Sequence, residues 1–254
     1  MLFVHMTETV HMLQGVTPQW LRWMFGRIAT RYDRTNTVIS LGLDHYWRRC
    51  LARRAVSTMP HVVLDVACGT GGVLYQTARM CGPETRLLGI DFTPRMLHVA
   101  QTQVARKILY TTVHLCLADA QHVPCRNASC DAVTMMFGLR NFAHPLGSLM
   151  ECHRVLRPGG RLYIVEFSWP SHPLVRTLYS GYFRYILPLA AWPLTGERTA
   201  YRYLRDSVMD YRRQPRPEVL LAAAGFTRVQ SQPLSGGITT LYEATKPVLY
   251  SLSA

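Results

Sequence analysis

Glycine and aspartate residues stand close together in one short segment, Leu64-Asp65-Val66-Ala67-Cys68-Gly69-Thr70-Gly71-Gly72. Its glycines let the backbone turn sharply and approach a ligand closely, because no Cβ stands in the way. Asp91 follows 20 residues after Gly71, and its carboxylate can accept hydrogen bonds from both hydroxyls of a ribose. Asp119 and Ala120 come later, where they can hold an adenine amino group. Together these residues predict a nucleoside-binding site.

Three predicted strands position these residues at one edge of a sheet. Each aspartate lies in, or shortly after, one of three short and largely apolar runs: Val62–Val66, Arg86–Asp91 and Thr112–Leu117. Helix-like segments alternate with these runs, and the carboxyl ends of parallel strands form one crevice. Further strands are predicted at residues 131–137, 161–167, 226–231 and 238–244, with a hairpin between the last two. The sequence therefore predicts an α/β fold with a mostly parallel, Rossmann-like sheet of about seven strands.

The ligand of the glycine loop has two candidates. A dinucleotide fingerprint needs a third glycine three residues after Gly71, and Leu74 occupies that position. Asp65 would repel a pyrophosphate, but it suits a ligand that carries an ammonium and a sulfonium. The loop therefore favours S-adenosylmethionine, and a nicotinamide cofactor is the alternative.

Both ends of the chain differ from this alternating core. Residues 1–60 are predicted to be a helical amino-terminal segment of the same domain, because aromatic and aliphatic residues recur there at helical spacing. Residues 61–254 form the main part of the domain. Within it, residues 168–213 are rich in aromatics and prolines, break the alternation and are interpreted as an inserted lid.

Composition excludes several classes of protein. The chain has 254 residues, 48% of them hydrophobic, and no apolar run reaches the roughly 18–20 residues of a membrane-spanning helix. The first residues do not look like a signal peptide, so we expect a cytoplasmic protein. Seven scattered cysteines predict neither a disulfide framework nor a metal site. The net charge of +13 suggests phosphate-bearing partners, namely anionic lipid or nucleic acid, and otherwise describes a solvated surface.

Several longer motifs resemble the quinone C-methyltransferases of ubiquinone and menaquinone biosynthesis. Phe137-Gly138-Leu139-Arg140-Asn141 is the most specific of them, and the resemblance extends over about residues 20 to 246. It also rests on the following stretches: Phe25-x-x-Ile28-Ala29-x-x-Tyr32-Asp33-x-x-Asn36, Ser40-x-Gly42, Trp47, Arg154-Val155-Leu156-Arg157-Pro158-Gly159-Gly160, Glu166-Phe167-Ser168, Tyr201-x-Tyr203-Leu204-x-x-Ser207 and Ala224-Gly225-Phe226.

The resemblance implies a class I methyltransferase sheet and methyl transfer from S-adenosylmethionine to a ring carbon of a polyprenylated quinol. The acceptor would be demethylmenaquinol or the methoxy-benzoquinol precursor of ubiquinone. The expected cofactor-binding residues are Asp65, Gly69, Thr70, Gly71, Asp91, Phe92, Asp119, Ala120 and Met136. The chain departs from the family pattern at Met136, where relatives often have serine, at Gly72, where aspartate is common, and at Asp44, where histidine is common.

Arg140 and Asn141 are the candidate catalytic residues. A quinol carbon becomes a good nucleophile when a neighbouring hydroxyl loses its proton, and a free phenol has a pKa of about 10. The Arg140 guanidinium would favour the phenolate, and Asn141 would orient the same oxygen. Tyr201 and Tyr203 are candidate substrate-binding residues. The alternatives are that Arg140 ties a loop to the sheet and that the tyrosines form the core of the lid.

The sequence also bears on two alternative functions and two kinds of partner. A nucleic-acid methyltransferase is disfavoured, because no basic stripe with interleaved aromatics is evident. A cofactor-binding relative without catalysis is kept open by Met136 and Gly72. The apolar tail of the expected substrate predicts transient association with a membrane surface through the aromatic stretch Tyr179 to Leu194 and arginines such as Arg176, Arg184 and Arg198. A homodimer is a further expectation.

Overall fold

A single seven-stranded sheet forms the centre of the protein. We describe it from a computed structural model, which covers residues 16–108, 110–187, 197–211 and 213–248. The strands are β1 (Val62–Val66), β2 (Arg86–Asp91), β3 (Thr112–Leu117), β4 (Cys130–Met136), β5 (Leu156–Phe167), β6 (Thr227–Leu234) and β7 (Thr239–Thr245). Their order in the sheet is β3-β2-β1-β4-β5-β7-β6. Strands β1 to β5 pair in parallel, and β7 runs antiparallel to both β5 and β6. The mostly parallel sheet of seven strands and the terminal hairpin are thus confirmed.

The strand order changes direction at β1, which lies between β2 and β4. In open α/β sheets, ligands bind in the crevice beyond the carboxyl ends of the strands at such a switch point. The segment that follows β1 is the glycine loop, so the topology places this loop at the crevice.

Helices cover the sheet and its carboxyl edge. Their bounds are α1 (Pro18–Ile28), α2 (Tyr32–Ile39), α3 (Leu43–Val56), α4 (Gly72–Ala78), α5 (Pro94–Lys107), α6 (Pro145–Val155), α7 (Pro173–Gly181), α8 (Arg198–Tyr211) and α9 (Pro217–Ala223). A π-helical turn, Tyr182–Ile186, continues α7, and short 3-10 turns cover Leu139–Asn141 and Ser235–Gly237. None of the helices within the described ranges is long and apolar enough to cross a membrane.

One boundary differs clearly from the sequence prediction. The helix expected to continue to Arg157 ends at Val155, and β5 begins at Leu156 instead of residue 161. The reason is a tertiary contact: Gly159 N donates to the carbonyl oxygen of Lys246, and Lys246 N donates to that of Gly160, each over 2.9 Å. The residues that stop the helix are thereby incorporated into the sheet.

A separate hydrophobic cluster joins the amino-terminal helices to the segment between β5 and α9. Leu21, Met24 and Ile28 of α1 pack with Tyr179 of α7 and Tyr201 of α8. The predicted segment 1–60 and lid 168–213 also include residues 1–15, 188–196 and 212, which lie outside the described residues, as does the end of the aromatic stretch up to Leu194. The cluster stands over the carboxyl edge of the sheet and so encloses the site.

Candidate active site

Asp91 fixes the conformation of the glycine loop. Its Oδ2 accepts a hydrogen bond of 2.9 Å from Gly69 N, and its Oδ1 accepts one of 2.8 Å from Thr93 N. Gly69 and Gly71 have φ values of 55° and 82°, a region in which glycine is favoured because it has no Cβ. Burial raises the pKa of the Asp91 carboxyl, and the two backbone N–H groups oppose this shift. Since a carboxylate offers about four lone pairs, both oxygens can still accept a ligand hydroxyl.

A small cavity of about 100 Å³ opens beside Asp91. Much of its wall comes from residues at or just beyond the carboxyl ends of β1, β2, β3 and β4, and from the turn that follows β4; α1, α2 and α5 complete it. Six of the nine expected cofactor-binding residues line it: Gly69, Asp91, Phe92, Asp119, Ala120 and Met136. Asp119 Oδ1 accepts a hydrogen bond of 2.9 Å from Gln121 N, which orients its carboxylate. Gly71 packs against α5 instead: a Cβ at this position would lie 3.4 Å from the Cβ of Ala100.

Asp65 brings an uncompensated carboxylate to the end of β1. Its Oδ1 accepts a hydrogen bond of 2.7 Å from Thr134 Oγ1, whereas its Oδ2 is buried and has no hydrogen-bond partner among the described residues. Burial raises the pKa of Asp65 to about 7, although the Thr134 hydroxyl works against the shift. A buried carboxylate in this state favours a cationic ligand, because a positive charge would restore the solvation that it has lost.

A second, larger cavity of about 380 Å³ meets the small one. The two share six lining residues: Phe25, Tyr32, Ala67, Gly69, Met136 and Phe137. Most of the remaining wall is apolar and comes from α1, α2, α3, α7 with its π-helical turn, and α8, and Asp65, Thr70 and Arg140 are among its polar residues. Tyr201 and Tyr203 also line it. The arrangement therefore places a small cavity that contains Asp91 and Asp119 next to a larger, mostly apolar chamber.

Arg140 is buried and already paired. Its Nη1 donates to Glu166 Oε1 over 2.7 Å and to the carbonyl oxygen of Phe137 over 2.8 Å. Its guanidinium lies 5.0 Å from the ring centroid of Phe167, and its Nε is buried without a hydrogen-bond partner in the described structure. Burial lowers the pKa of Arg140, Glu166 and nearby tyrosines raise it, and the net shift is upward. Arg140 thus ties the segment after β4 to β5, and Nε remains able to donate.

Asn141 connects two parts of the site. Its Nδ2 donates to the carbonyl oxygen of Phe137 over 3.0 Å, and its Oδ1 accepts a hydrogen bond of 2.7 Å from the hydroxyl of Tyr203. Asn141 lines the small cavity and Tyr203 the large one. The hydrogen bond between Tyr203 and Asn141 therefore links the walls of the two cavities.

Sequence reasoning did not single out three residues that the structure places here. Asp33 accepts hydrogen bonds from Thr70 Oγ1 at 2.9 Å and from Arg48 Nη2 at 3.0 Å. Tyr179 is only 5% exposed, lines the large cavity and has a hydroxyl with no hydrogen-bond partner among the described residues. Asp33 belongs to the amino-terminal signature and Tyr179 begins the aromatic stretch, so each had a local signal, whereas Arg48 has no comparable one. The described part of the chain contains no group of three His, Cys, Asp or Glu side chains suited to a metal ion.

Comparison with known proteins identifies close relatives. The model of the ubiE/COQ5 methyltransferase family matches residues 14–246. A ubiquinone/menaquinone biosynthesis C-methyltransferase from Geobacter sp. is 37% identical over 89% of this chain and 96% of its own. A demethylmenaquinone methyltransferase from Deinococcus radiodurans is 38% identical over 90% of this chain and 93% of its own.

Solved structures share the fold at lower identity. A putative S-adenosylmethionine-dependent methyltransferase from Methanococcus maripaludis has a TM-score of 0.62 at 14% identity, over 90% of this chain and 96% of the other. A SAM-dependent methyltransferase from Aquifex aeolicus has a TM-score of 0.51 at 19% identity, over 73% and 82%. Both likenesses concern the sheet and its helices and identify the class I methyltransferase fold.

Proposed function

Because this chain belongs to the ubiE/COQ5 methyltransferase family, we propose that it methylates a ring carbon of a polyprenylated quinol. It is a methyltransferase, and its cofactor is S-adenosylmethionine. The ring proposed is that of demethylmenaquinol, with the methoxy-benzoquinol step of ubiquinone synthesis as the second candidate, since the two relatives carry names from both routes. The observation that carries the proposal is the junction of a small cavity that contains Asp91 and Asp119 with a larger, mostly apolar chamber.

The residues of the small cavity, together with Asp65 of the large one, fit the cofactor. Asp91 would accept the ribose hydroxyls, and Asp119 and Ala120 would bind the adenine. The buried Asp65 Oδ2 is an orphaned acceptor, and the ammonium of the cofactor is the partner that it lacks. When bound, S-adenosylmethionine supplies a methyl group on a positively charged sulfur. Met136 and Phe137 line both cavities, so they border the path between donor and acceptor.

The large cavity fits the quinol. Its apolar wall suits the ring and the first part of the isoprenoid tail, and exclusion of water strengthens the polar contacts within it. Arg140 Nε would donate to the quinol oxygen and stabilise the phenolate. Since Glu166 already compensates the Arg140 charge, this effect is smaller than that of an unpaired guanidinium. The Tyr179 hydroxyl, which is buried beside the same residues, would donate to a quinol oxygen as well.

The apolar tail implies that the acceptor is met at a membrane surface. Leu41 and Leu178 line the large cavity and are nevertheless 85% and 65% exposed, so the rim of the cavity is apolar. Arg176 and Arg184 are exposed nearby in sequence, and residues 171–187 contain no acidic side chain. This combination suits an anionic bilayer, on which the protein would dock reversibly from the cytoplasmic side. A homodimer is also proposed, and light scattering of the purified protein tests it.

Methyl transfer to a defined quinol tests the function. Purified protein would be incubated with S-adenosylmethionine and either demethylmenaquinol or the methoxy-benzoquinol, each with a short tail in detergent. We expect a product heavier by one methylene, with the methyl on the ring carbon, as shown by mass spectrometry and NMR. Transfer to RNA or DNA, with none to either quinol, would support the nucleic-acid alternative. Cofactor binding without transfer to any acceptor would support a non-catalytic relative.

A further inference from the structure

Arg48 lies against the cofactor loop although it comes from a different part of the chain. It is on α3, its side chain is only 12% exposed, and it lines the large cavity together with Asp65, Thr70 and Gly72. Its Nη2 is 3.0 Å from Asp33 Oδ1 and 3.5 Å from Asp44 Oδ2. Two carboxylates therefore hold one side of the guanidinium in place.

The other side of this guanidinium occupies the space above Gly72. A Cβ built on Gly72 would be 2.4 Å from Nη1, 2.7 Å from Cζ and 3.0 Å from Nε of Arg48. No side chain at position 72 is compatible with the present position of Arg48.

The guanidinium of Arg48 has unused hydrogen-bond donors on the side that faces Gly72. Its hydrogen bond to Asp33 uses Nη2, and in the described structure neither Nη1 nor Nε has a hydrogen-bond partner. A guanidinium presents its donors in a rigid plane that matches the two oxygens of a carboxylate. The amino-acid end of S-adenosylmethionine carries such a carboxylate next to its ammonium. Asp65, the acceptor expected for that ammonium, lies close enough for Arg48 to oppose the upward shift of its pKa.

We propose that Arg48 binds the carboxylate of S-adenosylmethionine through Nη1 and Nε, and that Gly72 provides the room for this contact. Asp33 and Asp44 act as positioning residues that aim the guanidinium. The amino-acid end of the cofactor would thus be recognised from both sides, its ammonium by β1 and its carboxylate by α3. This proposal concerns cofactor binding alone and does not depend on which acceptor is methylated.

Calorimetry with two ligands separates a direct contact from a structural role. S-adenosylmethionine and its decarboxylated analogue share the adenosine, the sulfonium and the ammonium, and only the former has the carboxylate. The wild-type protein should prefer S-adenosylmethionine, and Arg48→Gln should reduce that preference by about tenfold or more, as expected when a hydrogen bond between charged groups is lost. Affinity for the analogue should change little. Arg49→Gln, an exposed neighbour on the same helix, is the matched control and should behave as wild type.

A second variant keeps the test decisive if Arg48→Gln unfolds. Gly72→Ala would displace the tip of Arg48 without removing its charge, and the preference for the carboxylate should fall in the same direction. Equal weakening of both ligands by both variants would show that Arg48 merely holds α3 against α2, and the proposal would be wrong. Unchanged affinities in folded variants would also overturn it.

Discussion

The hydroxyl of Tyr203, on α8, donates a hydrogen bond of 2.7 Å to the amide oxygen of Asn141, the residue that follows Arg140. The amide nitrogen of Asn141 donates in turn to the carbonyl oxygen of Phe137, which also accepts from Arg140. Helix α8 is thereby connected to the segment after β4, which lines both cavities. We interpret Tyr203 as a positioning residue, since it acts through Asn141.

Tyr203→Phe should loosen this connection. The Asn141 oxygen would lose a donor in a largely buried site, so we expect the free energy of unfolding to fall by about 1 kcal/mol. The KM for quinol should rise several-fold, because α8 is no longer fixed against the segment after β4, while affinity for S-adenosylmethionine stays within about twofold. Denaturant titration, steady-state kinetics and calorimetry measure these quantities. Tyr185→Phe, at an exposed residue, is the control, and an unchanged KM for Tyr203→Phe would contradict this role.

The ion pair between Arg140 and Glu166 gives a second prediction. Arg140→Met leaves Glu166 buried without its charge partner, and the loss of one member of a buried pair typically costs about 3–5 kcal/mol. Arg140→Met combined with Glu166→Gln should recover most of that stability. If Arg140 also stabilises the phenolate, the double variant should stay slow at neutral pH and be partly rescued at high pH. Recovery of the rate together with stability would assign Arg140 a structural role only.

How far the sequence predicts the site depends on how local the determining interactions are. β1 and β4 are short, largely apolar runs, and the glycine loop directly follows β1, so the strands and the crevice were predictable from short segments. The contact of Thr70 with Asp33 spans 37 residues, and that of Arg140 with Glu166 spans 26. Neither follows from periodicity, because the first depends on how α2 packs against the glycine loop and the second on the pairing of β4 with β5. Arg140 was therefore predicted to be near the substrate, but its compensating carboxylate was not predicted.

Tyr179→Phe tests the unpaired hydroxyl in the large cavity. An unsatisfied buried hydroxyl destabilises a protein, so its removal should leave the free energy of unfolding unchanged or raise it by up to about 1 kcal/mol. The KM for quinol should nevertheless rise by about fivefold or more, because the ligand loses a donor. Tyr182→Phe is a useful comparison, since the Tyr182 hydroxyl donates to the carbonyl oxygen of Ile39 instead. An unchanged KM for Tyr179→Phe would exclude contact with the quinol oxygen.

The raised pKa of Asp65 predicts a pH dependence of cofactor binding. Burial shifts it from 3.8 to about 7, so the carboxyl of the free protein is mostly protonated below that pH. Only the ionised form pairs with the ammonium, and affinity should therefore increase up to about tenfold per unit as pH rises towards 7, then level off. Because the native pKa is the higher one, the free energy of unfolding should decrease between about pH 4 and 7 and be flat above.

Asp65→Asn should remove both of these dependences. The variant keeps an acceptor for Thr134 but has no charge, so its affinity should be low and nearly constant with pH. Calorimetry and denaturant titration from about pH 5.5 to 8 measure the two quantities. Asp206→Asn, at a more exposed position, should retain the wild-type profile. A profile in Asp65→Asn that matches wild type would assign the titration to another group.

The apolar rim of the large cavity predicts where the protein meets a membrane. Wild-type protein should sediment with vesicles of phosphatidylglycerol and phosphatidylcholine at low salt, and less at high salt, because exposed arginines are screened. Leu41→Glu and Leu178→Glu place a negative charge on the rim and should reduce sedimentation strongly. Turnover of a short-tailed quinol in detergent should change less, which separates docking from chemistry.

Two exposed methionines far from the rim in sequence provide matched controls for docking. Met59 is 87% exposed and has a φ of 48°, close to the 52° of Leu41, so Met59→Glu makes a comparable change elsewhere. Met150→Glu is the matched control for Leu178→Glu, because Met150 is likewise an exposed apolar residue on a helix. Both controls should sediment like wild type. Equal loss in controls and rim variants would mean that net charge alone governs binding. If wild-type protein does not sediment even with quinol in the vesicles, a carrier or partner must deliver the substrate to the cavity.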